Sequence, residues 1–319
     1  MRSCLVTGVA GFIGSHLAEA LLQEGCSVIG IDCFYNNYPR AIKERNLQRL
    51  RDSSNFAFYE VDLCSSPLDH LVSQVDVIFH EAALPGVHTS WGFNFYDYCT
   101  NNILATQRLL EAAKQRSIRK FVYASSSSVY GFRSPTAFQT NDVPRPASPY
   151  GVSKLAAEHL CALYHDNFGV PVVLLRYFSV FGPRQRPDMA FYRFIRSIVR
   201  GDPIEVYGDG EQIRDFTYVL DVTTATIQAA RVGNTFAIYN IAGGCMATIN
   251  ECIHTIERLL NRRANVVYKA RRPGDPQWTH GDITRAREEL NFRPTFSLEA
   301  GLSAQIEHFL KEASYGSVD

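Results

Sequence analysis

The 319-residue chain carries 32 basic and 32 acidic side chains, and 46% of its residues are hydrophobic. That balance, with no basic cluster longer than the pairs Arg262-Arg263 and Arg271-Arg272, excludes the electrostatic footprint of a nucleic-acid binder. No apolar run approaches the ~20 residues of a membrane span, and the apolar content suffices for a large core or two linked lobes. Eight cysteines lie scattered without a C-x-x-C pair, so no metal site is expected. Reduced thiols and an N-terminus without a signal-peptide layout predict a cytoplasmic protein.

Taken in order, Ser3–Thr7 reads as a short buried strand, followed by Gly8-Val9-Ala10-Gly11-Phe12-Ile13-Gly14, an apolar-periodic helix from Ser15 to Glu24, and a second strand from Ser27 to Asp32. Strand, glycine-rich turn, helix and strand ending in an acid form the layout of a dinucleotide-binding unit. Gly8 permits the tight turn, Gly11 lets backbone approach a pyrophosphate at the helix N-terminus beside Phe12 and Ile13, and Gly14 lets helix and strand pack closely. Asp32 is placed to accept both ribose hydroxyls and repel a 2′-phosphate. No Arg or Lys follows it until Arg40, so NAD is expected rather than NADP.

The alternation continues with a helix over Arg40–Arg51, a strand over Phe56–Val61 followed by Asp62-Leu63, and a strand over Val75–His80 followed by Glu81-Ala82-Ala83. A long helix over Asn94–Gln115, a strand over Arg119–Ser125 and another over Val170–Tyr177 complete the first half. Strands separated by helices predict an α/β fold with a parallel, doubly wound sheet, its ligands at the strands' C-terminal ends. Further on, the pattern predicts a loop over Phe178–Arg186, a helix over Phe191–Arg200, a strand over Ile204–Tyr207, a turn over Gly208–Gln212, a helix over Thr217–Arg231 and a core strand over Ala237–Ile241. Helices over Thr248–Leu260 and Leu298–Leu310 belong to a smaller C-terminal lobe. The expected division assigns 1–177 plus about 216–242 to cofactor binding, and 178–215 plus 243–319 to substrate binding. The turn-rich loop from Ser134 to Pro149 is long enough to act as a flap.

Four serines, Ser125 to Ser128, end the strand before that loop, and a helix begins after it with Tyr150 and Lys154 in its first turn. Four residues apart on a helix, these side chains share a face. A neighbouring ammonium draws a phenol of ordinary pKa ~10 toward the working range, and a serine hydroxyl completes a trio able to take a proton from a sugar alcohol.

These pieces together resemble the extended short-chain dehydrogenase/reductases and, more narrowly, the NDP-sugar epimerase/dehydratase family. The matching motifs are T-G-V-A-G-F-I-G (7–14), D-L (62–63), H-E-A-A (80–83), S-S-S-S-V-Y-G (125–131), Y-G-V-S-K (150–154), R-Y-F-S-V-F-G-P-R (176–184) and G-D-G-E-Q-I-R-D-F (208–216). The resemblance implies a Rossmann-type sheet with a smaller α/β substrate lobe, and bound NAD held by Gly8, Gly11, Phe12, Ile13, Gly14, Asp32, Asp62, Leu63, Ala82, Ala83, Asn102, Ser125, Tyr150 and Lys154. It implies Ser126, Tyr150 and Lys154 as the catalytic set. Arg214 and Arg272 would hold the substrate pyrophosphate and Asp275 the uridine ribose, as suits guanidinium–phosphate recognition. Family members commonly form homodimers, here through helices near 94–115 and 150–168.

Within the family the chain is most similar to UDP-glucuronate 4-epimerases, in Y-N-N-Y-P-R-A-I-K-E-R (35–45), L-P-G-V-H-T-S-W (84–91) and G-P-R-Q-R-P-D-M-A-F (182–191). The implied substrate is a UDP-sugar, oxidised at C4, turned over and reduced on its other face. Ser126, Ser127, Ser128, Tyr150, Ser179 and Arg186 would line the sugar end. Dehydratases resemble T-D-E-V-Y-G at the serine stretch and decarboxylases T-S-E-V-Y-G; here Ser127 and Ser128 replace those carboxylates, which favours epimerisation. UDP-glucose or UDP-GlcNAc epimerisation, the dehydratase and decarboxylase branches, and a non-catalytic NAD-binding scaffold are the alternatives. Two departures stand out: Glu81, where the family usually has an apolar residue, and His88, where its close relatives commonly have Arg.

Overall fold

Strands of four to seven residues, buried in the middle of the sheet and more exposed at its β3 edge, build the centre of the computed structural model, which describes residues 1–132 and 136–314. They are β1 (Ser3–Thr7), β2 (Ser27–Asp32), β3 (Phe56–Glu60), β4 (Val77–His80), β5 (Lys120–Ser126) and β6 (Val172–Tyr177). With β10 (Phe236–Ile241) they form one sheet in the order β3-β2-β1-β4-β5-β6-β10, every neighbouring pair parallel. Alternate residues face opposite layers. Cys4, Val6, Val77 and Phe79 pack beneath the helices Phe12–Gln23 and Val219–Ala229, while Leu5, Ile78, Phe121 and Tyr123 pack beneath Ala105–Lys114 and Pro149–Phe168. Strand order reverses between β1 and β4, so their C-terminal ends open a crevice.

Beyond β6 the chain builds β7 (Val180–Phe181), β8 (Pro203–Tyr207), β9 (Ile213–Tyr218), β11 (Cys245–Thr248) and β12 (Asn265–Lys269). These pair as β11-β9-β7 and β12-β8. A separate apolar cluster including Phe181, Phe191, Ile195, Phe216, Ile256 and Leu302 joins them to the helices Ala190–Arg200, Ile249–Leu260 and Leu298–Ser314. Helix Ile249–Leu260 starts at a capping box: Thr248 Oγ1 accepts from Glu251 N (3.0 Å), and Thr248 N donates to Glu251 Oε2 (2.7 Å).

Several predicted elements change. The first helix starts at Phe12 rather than Ser15. The helix expected over Asn94–Gln115 is divided into Phe95–Tyr98, a π-helical stretch Cys99–Leu104 and Ala105–Lys114. Thr217 and Tyr218 close strand β9 instead of opening a helix, because they pair with Val180 and Phe181. Residues 134 and 135 of the expected flap lie outside the described residues. Phe138 in that loop is fixed: its N–H donates to His280 O (2.8 Å), its carbonyl accepts from Asp282 N (2.9 Å), and its ring stacks on Tyr130 at 4.6 Å. Among the described residues no helix is long and apolar enough to cross a membrane, and no group of His, Cys, Asp and Glu is suited to a metal ion.

Candidate active site

A cavity of about 430 Å³ opens where β1, β2, β4, β5 and β6 end. Its near end is the glycine turn. Gly8 has φ +68°, and a Cβ there would lie 2.8 Å from Ala82 Cα; a Cβ on Gly14 would lie 2.3 Å from Gly8 O. Helix Phe12–Gln23 therefore sits against the strand end, and no side chain caps its N-terminus at Gly11. Phe12, Ile13 and Gly14 of its first turn line the cavity, where an anionic group meets the positive end of the helix dipole.

Asp32 anchors the next wall segment. Its Oδ2 accepts from Ala10 N (3.1 Å) and its Oδ1 from Phe34 N (2.8 Å). Burial raises its pKa, opposed by those bonds and by the Lys43 ammonium. Lys43 is a cation the spacing argument missed: Arg40 faces outward, paired with Glu44 and Glu60, while the buried face of helix Arg40–Arg51 brings Lys43 into the cavity wall. Its ammonium donates to Tyr35 O (2.5 Å) and Asn37 Oδ1 (2.8 Å). Asp62, Leu63, Ala82 and Ala83 also line the cavity. Asp62 accepts from Cys64 N (2.9 Å) and Ser65 Oγ (2.9 Å), and Ala82 N donates to Thr7 Oγ1 (3.0 Å).

Asn102 lies behind the wall rather than on it. Buried in the π-helical stretch, its amide donates to Leu84 O (2.9 Å) and Ser153 Oγ (2.9 Å), and its Oδ1 accepts from Leu84 N (2.7 Å). It clamps the loop after β4 to the helix that carries Tyr150; its neighbour Asn101 faces the cavity.

At the far end, Ser148 caps helix Pro149–Phe168 by accepting from Gly151 N (3.1 Å). The helix's first turns bring Tyr150 and Lys154 into the wall with Ser125, Ser126, Ser127, Ser128 and Ser179. Ser126 Oγ accepts from Ser128 N (3.1 Å). Burial raises the Tyr150 pKa; its hydrogen bond with the Ser126 hydroxyl and the charge of Arg186 lower it. The Lys154 ammonium donates to Ala124 O (2.7 Å) at the end of β5. Burial lowers its pKa to about 8, with Glu81 and Glu158 opposing.

Two buried arrangements escaped the sequence reading. Arg176 holds Glu158 through two bonds (2.9 and 2.7 Å), and Glu158 accepts from Ser125 Oγ (2.5 Å). Arg176 also donates to Tyr130 Oη (2.9 Å), which donates to Asn240 Oδ1 (2.6 Å). Glu81 lies on the cavity wall with its Oε1 2.9 Å from Tyr177 Oη; burial raises its pKa to about 7. Neither has a local spacing signal, because the partners come from different elements.

Arg186 lines the cavity, its guanidinium held by Asp188 at 3.0 and 2.9 Å. Arg214, Arg272 and Asp275 gather outside that cavity. Arg214 donates to Asp275 Oδ1 (2.5 Å), Arg272 stacks over the Tyr207 ring at 3.4 Å, and all three act electrostatically on His88 of the loop after β4. Burial is the main cause of the lowered His88 pKa.

The glycine cradle that leaves no space for side chains, the uncapped helix start and the Asp32 carboxylate fit a dinucleotide. Residues 4–242 match the model of the NAD dependent epimerase/dehydratase family. A Bacillus subtilis protein described as an uncharacterized UDP-glucose epimerase, YtcB, is 43% identical over 309 residues, covering 95% of this chain and 96% of its own. A UDP-glucuronate 4-epimerase of Thermodesulfobacterium geofontis is 38% identical over 306 residues, covering 95% and 94%. The crystal structure of a Bacillus cereus UDP-glucuronic acid 4-epimerase in complex with UDP-glucuronic acid and NAD has a TM-score of 0.95 and 44% identity, covering 97% of this chain and 99% of that one. The chain belongs to the NAD-dependent epimerase/dehydratase family.

Proposed function

We propose that the chain is a UDP-sugar 4-epimerase that interconverts UDP-glucuronate and UDP-galacturonate. The observation that carries this reading is the Tyr150 phenol, set beside Ser126 in the wall of a dinucleotide-shaped cavity, where the Ser126 hydroxyl acts to lower its pKa. When bound, NAD supplies the acceptor and donor of the C4 hydride. Tyr150 takes the C4 hydroxyl proton and later returns it to the opposite face of the 4-keto sugar. Ser126 and Arg186 favour the phenolate this requires. Lys154, tied to Ala124 O, holds a positive charge at the same end of the cavity.

The uronate assignment is supported by the hydroxyls of Ser127, Ser128 and Ser179 and by Arg186 in the wall. A 4-keto uronate is a β-keto acid that readily loses CO₂; a wall without a carboxylate at 128 holds the C6 group by neutral donors. Buried donors left unpaired by a neutral sugar cost roughly 1–3 kcal/mol each. The Arg214, Arg272 and Asp275 cluster is assigned to the UDP moiety. A diphosphate there would compete with Asp275 for Arg214, freeing that carboxylate for a ribose. Residues 1–177 plus about 216–242 are assigned to the cofactor and 178–215 plus 243–319 to the nucleotide sugar, a division supported by the separate sheets and crossed by Ala286, Leu290 and Phe292 in the first core and by Phe216 and Tyr218 in the second. The name of the Bacillus subtilis relative favours a second reading, UDP-glucose as substrate.

Incubation with UDP-glucuronate, UDP-glucose and UDP-GlcNAc, with separation of the 4-epimers, distinguishes the two. UDP-glucuronate should turn over with much the highest kcat/KM, and the denatured protein should release NAD. Equal or faster turnover of UDP-glucose, or release of NADP, overturns this reading.

A homodimer in the cytoplasm completes the proposal. Support comes from the half-exposed apolar side chains Leu104, Val152 and Leu163 on the two packed helices, and from eight unpaired cysteines. Size-exclusion chromatography of a cytoplasmic extract tests both parts: absence from it, or elution at monomer mass, refutes the corresponding part.

A further inference from the structure

Glu81 has no part in the mechanism above, yet it occupies the cavity wall beside Lys154. Its surroundings allow its protons to be counted. Thr226 Oγ1 lies 2.8 Å from Val222 O, Tyr177 Oη lies 2.7 Å from Thr226 Oγ1, and Glu81 Oε1 lies 2.9 Å from Tyr177 Oη. These are three contacts in a row, running from a carbonyl that can only accept to a carboxyl. Each hydroxyl brings one proton. With Glu81 ionised, two protons serve three contacts and one contact is left without any. With Glu81 protonated the row is complete: Glu81 donates to Tyr177, Tyr177 to Thr226, and Thr226 to Val222 O.

The charged and titratable groups that face Glu81 are Lys154, from helix Pro149–Phe168, and Tyr177, from β6. From helix Val219–Ala229 the Thr226 hydroxyl and the Val222 carbonyl enter the row, neither of them charged. The imidazole of His80, the residue before it, is taken up elsewhere, 2.7 Å from Thr7 Oγ1 and 3.0 Å from Thr106 Oγ1. Glu81 is also the foremost of the groups whose charge favours the ammonium form of Lys154.

We propose that Glu81 is a positioning residue for the catalytic lysine: it holds a proton that completes the Tyr177–Thr226–Val222 row and, on releasing it, supplies the carboxylate that keeps Lys154 charged. The proton leaves to solvent or buffer, so the step changes only the charge of the wall. Burial places the transition near pH 7. The sign follows from that position. Because Glu81 titrates above the free carboxyl's 4.5, its neutral form stabilises the fold. That contribution is complete below 4.5 and is lost as pH rises through about 7.

The role in turnover rests on the epimerase reading; the proton itself does not. The test therefore pairs Glu81→Gln, which keeps shape and donor, with Glu81→Leu, which keeps neither. Infrared difference spectra of wild type against Glu81→Gln should show a protonated-carboxyl band that disappears around neutral pH. The melting temperature of wild type should fall more than that of Glu81→Gln between about pH 5 and about pH 8. In the epimerase assay, both variants should lose activity at the alkaline side roughly one pH unit earlier than wild type, as Lys154 loses the carboxylate that most favours its ammonium form. Absence of the carboxyl band, or an alkaline limb in Glu81→Gln identical to wild type, overturns the proposal. A titrating band with no epimerase activity in wild type would leave the proton-holding role standing and refute the epimerase reading instead.

Discussion

Replacing Tyr150 by Phe should lower kcat at least ~10²-fold while leaving UDP-glucuronate binding nearly unchanged. The substitution keeps the ring that fills the cavity wall against Tyr98, whose centroid lies 6.2 Å away, and removes only the hydroxyl. That hydroxyl is the group whose pKa Ser126 and the charge of Arg186 lower. The neighbouring serine hydroxyls are far weaker bases than a phenolate, and Glu81 is committed to Tyr177. Steady-state turnover at saturating UDP-glucuronate, with calorimetric binding of the same substrate, separates chemistry from affinity. Retention of most of the activity would assign the base to another group, and the proposed mechanism would be wrong.

The largest loss of stability should follow from Glu158→Ala. The Glu158 and Arg176 side chains are only 5% and 3% exposed and joined by two hydrogen bonds. Removing the carboxylate strands a guanidinium inside the protein and frees Ser125 Oγ, at a cost of about 3–5 kcal/mol. The loss should register as a lower urea midpoint with an unchanged slope. Because the penalty comes from an unpaired charge rather than a lost attraction, the double variant Glu158→Leu with Arg176→Met should recover much of it. A single variant within 1 kcal/mol of wild type would mean that water reaches Arg176 and that the floor of the site is not dry.

What the sequence made legible is what it encodes locally. The glycine turn, Asp32 six residues into a strand pattern, and Tyr150 four residues before Lys154 are short-range spacings, and each appears on the cavity wall. What stayed hidden depends on partners far along the chain. Asn102 reads as an ordinary helix-face amide, yet its bonds to Leu84 and Ser153 accompany a π-helical stretch no periodicity announces. Val180–Phe181 is too short to read as a strand, so nothing local marks Thr217 and Tyr218 as its extended partners rather than the start of a helix. The edge strand Asn265–Lys269 is mostly exposed and shows no clean alternation to betray it. The acceptor of the Lys154 ammonium, Ala124 O on β5, stayed hidden because a shared helix face says nothing about where a flexible side chain finds its partner.

The contacts at the glycine turn also limit which mutational paths are open to this chain. Gly14 faces the carbonyl of Gly8, and Gly8 faces the backbone of Ala82, in each case with less room than a single methyl group needs. None of these neighbours is a side chain that could be trimmed in compensation. Substitution at either glycine thus requires main-chain displacement in a second segment, at the very place where the cofactor wall is formed. Variation in this part of the protein is accordingly channelled to residues such as Lys43 and Glu81, whose partners are side chains or backbone groups that a new residue can re-bond one step at a time.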